Sequence, residues 1–153
     1  MSSTAPGDDG ALATLNIDDF CRDVAVALLQ LASRFPRPYN LFVEDVYQPE
    51  ETDEFGLHSE RFLACFSALS WLQDEGYIRY EQALRMEAVE QAVLTGRALT
   101  LLVTPQSDEG DPTIALEKET LLARLRAALR AGSSTELRWA VIELMNKING
   151  GRQ

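Results

Sequence analysis

A mostly helical α+β domain is predicted by three features of the sequence. Apolar residues recur at helical spacing in several separate stretches. One of these begins at Ser59, closes on Gly76 and feeds straight into the β-favouring run Tyr77-Ile78-Arg79-Tyr80. A second apolar run then ends at Thr95, a residue suited to cap a new helix.

In chain order, the first helix is expected from Ile17 to Phe35. Ile17, Phe20, Cys21, Val24, Leu28 and Leu31 share one face of a 3.6-residue period. Asn16 can serve as its N-cap, Asp18 and Asp19 suit the positive end of the helix dipole, and Pro36 and Pro38 stop it. Tyr39–Tyr47 reads either as a brief strand with a helical turn or as a single short helix around Leu41–Val46, and the second is favoured. Glu50–Glu54 is an acidic loop. The next helix runs from Ser59, its N-cap, to Asp74. Phe62, Phe66, Leu69 and Leu72 form its buried stripe, widened by Leu63 and Trp71. Gly76 is placed to take the left-handed conformation that ends a helix.

Two antiparallel strands, Tyr77–Tyr80 and Ala88–Leu94, follow. Between them Gln82–Gln91 is rich in Ala, Leu, Met and Glu and holds no Asn-Gly or Asp-Gly turn, so a helical path stays open there. Thr95 caps a short helix carrying Leu99 and Leu102. After a Pro-, Asp- and Gly-containing loop, a helix over Ile114–Ala131 presents Leu121, Leu122, Leu125, Ala128 and Leu129 on one face and ends at Gly132. Ser133 and Glu136 form a capping box for the last helix, whose stripe is Leu137, Ala140, Val141, Leu144, Met145 and Ile148. The short link makes these two a helical hairpin. The expected organisation is a disordered tail over 1–15, a domain over 16–103, an acidic loop over 104–113 and the hairpin over 114–149.

Charge limits the partners. The chain carries a formal net charge of -10, of which residues 1–57 hold -8 and residues 105–153 none. Only 14 Lys and Arg are present, so nonspecific attraction to DNA or an anionic membrane is disfavoured. No apolar run reaches membrane-spanning length and no secretory leader is evident, so a cytoplasmic protein is expected. Cys21 and Cys65 lie within apolar helical patterns without a CxxC neighbour and read as buried reduced thiols. His58 is the sole histidine and has no positioned partner in the sequence. The carboxylate clusters fall in tails and loops without the ligand spacing of a calcium site. No catalytic residue, metal ligand or cofactor is expected.

The segments Ala68-Leu69-Ser70-Trp71-Leu72-Gln73-Asp74-Glu75-Gly76-Tyr77-Ile78 and Val93-Leu94-Thr95-Gly96-Arg97-Ala98-Leu99 resemble the recognition-helix-to-wing turn and the wing-to-helix junction of a winged helix-turn-helix. With the first helix, the resemblance spans about residues 16–102. It implies a winged helix-turn-helix with a two-stranded wing, carrying two additional C-terminal helices. In DNA-binding members the outer face of the third helix enters the major groove. Carried over here, that face offers His58, Ser59, Glu60, Arg61, Ala64 and Ser67, and the wing offers Arg79 and Arg85. Of the recognition-helix residues, only Arg61 can make the bidentate guanine contact. The acidic loop before this helix is longer than the motif's usual turn. The expectation is therefore a non-catalytic regulatory module acting through protein–protein contacts, with a DNA-binding transcriptional regulator using helix 59–74 as the alternative.

A homodimer through the C-terminal helices is also expected. Arg126 and Arg130 share a helix face, and Trp139 lies beside the apolar stripe of the last helix, where it either seals the core or anchors a partner.

Overall fold

In the first helix, α1 (Pro6–Arg34), the buried residues Cys21, Val24, Ala25, Ala27, Leu28 and Leu31 cover a broad arc, so neighbours enclose α1 on several sides. The computed structural model describes the backbone of residues 6–47, 59–105 and 120–150, and their side chains from Asn16 onward. The chain is α+β and mostly helical, with six helices among the described residues and one small antiparallel sheet.

α1 begins earlier than the apolar period predicts, within the stretch expected to be a disordered tail. Two sequence facts favour this. Proline is well tolerated in a first helical turn, and Ala11, Leu12, Ala13 and Leu15 are strong helix formers. After Pro36 the chain forms β1 (Tyr39–Phe42) and then α2 (Val43–Tyr47), which corrects the expectation of a single short helix over Leu41–Val46. The strand wins because it pairs with a partner distant in sequence, an interaction that local propensity does not register.

α3 (Glu60–Asp74) opens on Ser59, whose Oγ accepts from the Phe62 N–H at 3.1 Å. It buries Phe62, Cys65, Ala68, Leu69 and Leu72, while Leu63 is exposed and Phe66 half-buried. Gly76, at φ 85°, lets the chain reverse, and the Tyr77 N–H donates to the Leu72 carbonyl at 2.9 Å. The ribbon follows: β2 (Ile78–Arg79), β3 (Gln82–Leu84) and β4 (Ala88–Leu94). No helix occurs over 82–91. Arg85 and Met86, at φ 50° and 62°, occupy the centre of a tight turn closed by the Glu87 N–H on the Leu84 carbonyl at 2.8 Å.

β4 is the central strand, antiparallel to β1 on one side and to β2 and β3 on the other. The expected two-stranded ribbon is thus one long strand against an interrupted one, joined by β1. Tyr39 faces Ala92 but Leu41 faces Val89, so β4 carries one extra residue, a β-bulge. Gln91 sits there at φ 57°, and its N–H donates to the Asn40 Oδ1 at 2.9 Å.

Thr95 joins two parts of the fold. Its Oγ1 accepts from the Ala98 N–H at 3.1 Å, capping α4 (Gly96–Val103), and donates to the Gly76 carbonyl at 2.8 Å. The following helix, α5 (Leu121–Ala131), is capped by Thr120, and residues 114–119 of the helix predicted over Ile114–Ala131 lie outside the described residues. Residues 106–119, which include most of the expected acidic loop, lie outside the described residues. Gly132, at φ 67°, ends α5, and Ser133 Oγ caps α6 (Ser134–Gly150) by accepting from the Glu136 N–H at 3.2 Å.

α5 and α6 pack on each other, and both pack on α1; α4 packs on both in turn. Leu28, Leu69, Leu94, Leu102, Leu125 and Leu144 belong to one continuous core. No described helix is long and apolar enough to cross a membrane.

Candidate functional site

The outer faces of α1 and α3 leave a groove of about 560 Å³ between them. Helical periodicity builds both walls. On α1, Asn16, Phe20 and Asp23 follow one another up a single face, with Asp19 alongside; on α3, Glu60, Ala64, Ser67 and Trp71 do the same. The small side chains of Ala64, Ser67 and Ala68 keep the groove open. Ile17, Phe20 and Trp71 supply apolar surface. Phe20 meets Trp71 edge-on at 5.0 Å between ring centroids, and Trp71 stacks on Tyr77 at 5.5 Å, which holds the indole in place.

A buried ion pair lies against the groove. Asp23 is 1 % exposed. Arg61 donates to both of its oxygens, Nη1 to Oδ2 at 2.7 Å and Nη2 to Oδ1 at 2.5 Å. The Arg61 Nε lies 3.5 Å from Asp19, and the guanidinium sits over the Tyr47 ring at 5.1 Å. Burial raises the Asp23 carboxyl above its ordinary value, while the Arg61 hydrogen bonds and charge oppose that rise. Burial works against the Arg61 charge, but the bonds to Asp23 and its carboxylate raise the Arg61 value all the same.

Cys65 and Cys21 are both buried free thiols. Burial first and the Asp23 charge second push Cys65 up to about 12; burial and Asp18 push Cys21 up to about 11. Neither forms a thiolate nucleophile at neutral pH. Among the described residues, no group of three or more His, Cys, Asp or Glu converges where it could hold a metal ion.

The sequence-predicted contact residues separate into distinct places. Glu60, Arg61, Ala64 and Ser67 do share the groove. Ser59 is spent as the helix cap. Arg79 and Arg85 lie exposed on the ribbon, away from the groove lining. His58 lies outside the described residues. Arg61, the residue expected to reach a guanine, has both terminal nitrogens committed to Asp23.

No protein-family model, curated protein or solved structure matches the chain. What the site can do therefore rests on its own side chains.

On the C-terminal side, Trp139 is 64 % exposed, which resolves its two readings in favour of a surface residue. It lines a shallow groove of about 350 Å³ with Arg124, Glu136, Ile142, Glu143 and Asn146. Arg124 is paired with Glu143 across α5 and α6. Arg126 and Arg130 are exposed on α5 and are not among the residues lining this groove.

Sequence reasoning missed Asp23 as a site residue. Its signal was present: Asp23 falls inside the apolar stripe of α1, between Cys21 and Val24, and a carboxylate at a core position requires a partner. The pair of Arg138 with Asp18, 2.8 Å apart and joining α6 to α1, left no such signal.

Proposed function

We propose that this chain is a winged-helix protein that works by binding a partner protein and carries out no catalysis of its own. The order helix, strand, helix, helix, ribbon, helix supports the winged-helix reading, as does the turn at Gly76 from α3 into the ribbon. The observation that carries the functional reading is the bidentate clamp on Arg61. Freeing that guanidinium for a base edge leaves Asp23 as an unpaired buried carboxylate, a costly exchange. The rest of the α3 outer face offers Glu60, Ala64 and Ser67, which neither neutralise phosphate nor give strong base readout. Two free thiols suit a reducing compartment such as the cytoplasm.

Gel retardation with mixed-sequence duplex DNA at low salt tests this reading. The chain is expected to leave the duplex unshifted at micromolar concentration. Retardation that disappears in the Arg79→Ala, Arg85→Ala double variant would make the DNA-binding regulator the correct function.

The same module is proposed to act as a homodimer through α6. A strongly acidic chain repels its own copies, but residues 105–153 carry no net charge, so the surface of α6 opposes self-association less than the first half of the chain does. The charges of the Trp139 groove are one arginine and two glutamates, with Arg124 and Glu143 already paired, around exposed Trp139 and Ile142. A self-complementary patch of this kind suits a two-fold interface. Sedimentation at high micromolar concentration is expected to give a two-chain species that Trp139→Glu converts to a single chain. A single-chain species before substitution would remove the dimer from the proposal.

A further inference from the structure

Resting on the protein-binding reading above, we infer that the groove between α1 and α3 takes one amphipathic helix from a partner protein, its apolar face inward and lysine or arginine at its rim. Both walls are helices and no strand residue is among the described lining residues, so these walls offer an extended strand no sheet edge to pair with. Ala64, Ser67 and Ala68 allow a third helix to approach closely, and Phe20 and Trp71 offer rings for its apolar anchors.

The charge selects the occupant. Asp19, Asp23 and Glu60 face a single guanidinium, and that guanidinium is engaged by Asp23 and lies beside Asp19. An anionic ligand therefore meets net negative charge, with no free cation among the described lining residues to answer it. A cationic side chain finds Asp19, 47 % exposed at the side chain, and the exposed Glu60 as acceptors. A second copy of this chain is a poor occupant, because the sequence as a whole is at -10 and residues 1–57 alone are at -8.

Trp71 can report occupancy. The chain contains two tryptophans, so Trp139→Phe leaves Trp71 as the single indole. The probe is a short amphipathic Leu–Lys peptide, with a Leu–Glu peptide of identical leucine spacing as its control. Titration with the Leu–Lys peptide is expected to shift Trp71 emission to the blue and saturate. The Leu–Glu peptide should bind at least about tenfold more weakly.

Ala64→Arg and, separately, Ser67→Lys place bulk and positive charge in the groove at exposed helix positions. Each should weaken Leu–Lys binding about tenfold while circular dichroism stays unchanged. Unaltered Trp71 emission, equal binding of the two peptides, or full binding by both variants would overturn the inference. So would conversion of a dimer to a single chain by Ala64→Arg, since the occupant would then be a second copy. A chain that ignores the peptide and leaves DNA unshifted loses this inference and keeps the protein-binding reading. A chain that retards DNA through the ribbon arginines loses the reading itself.

Discussion

Replacing Arg61 with methionine is expected to destabilise the fold by about 3–5 kcal/mol at neutral pH, measured by urea denaturation. The loss comes from the partner left behind. Asp23 is 1 % exposed, with Arg61 supplying hydrogen bonds to both of its oxygens. Without the guanidinium Asp23 must either keep an uncompensated charge in the core or take up a proton at neutral pH, and each costs stability.

The pH dependence has a definite sign. Burial raises the folded-state Asp23 pKa above its ordinary 3.8, so the folded chain holds that proton to higher pH than the unfolded chain does. Such a group's contribution to stability is complete below about pH 4 and is lost as pH rises through the folded value. Removing Arg61 raises that value further. The variant's urea midpoint should therefore lie near the parent's at pH 4 and fall progressively below it toward pH 7. Combining Asp23→Val with Arg61→Met should recover most of the loss, since an apolar pair of similar size carries no desolvation penalty. If the double variant is as unstable as the sum of the two single ones, the ion pair is not the source.

The elements that were legible in the sequence have local causes. Ser59, Gly76, Thr95, Gly132 and Ser133 each act within a few residues, and each marks a boundary in the structure where its chemistry implies one. The less legible elements depend on contacts distant in sequence. β1 exists because β4 pairs with it some fifty residues later. The ribbon turn uses Arg85 and Met86 at positive φ, where Asn-Gly would have announced it, so the helix-forming composition of Gln82–Gln91 left the conformation open. The same division applies to the groove. Glu60, Arg61, Ala64 and Ser67 could be placed on one face by periodicity alone. That Asp23 reaches across from α1 to hold Arg61 depends on how two helices pack, and it turns a candidate base contact into a structural pair.

The second large effect is expected at Leu144, on the hairpin and far in sequence from α3. Leu144→Ala should lower stability by about 2–5 kcal/mol. Its side chain is fully buried in the core that also holds Leu69 of α3 and Leu94 of the ribbon. Composition and the loop after Thr104 divide the sequence into a domain over 16–103 and a separate hairpin. The packing of α1 on α3, α5 and α6 opposes that division. If α1 joins both halves, removing Leu144 in the Trp139→Phe background lowers the urea midpoint of the whole chain, and Trp71 emission and helical circular dichroism move together. If the hairpin is a separate unit, the helical signal splits into two steps and the Trp71 transition stays where it was. The first outcome is expected, because the α1 face that carries Val24, Leu28 and Leu31 belongs to the one core cluster that includes both halves. A mutation that loosens the hairpin then also loosens the helix forming one wall of the groove.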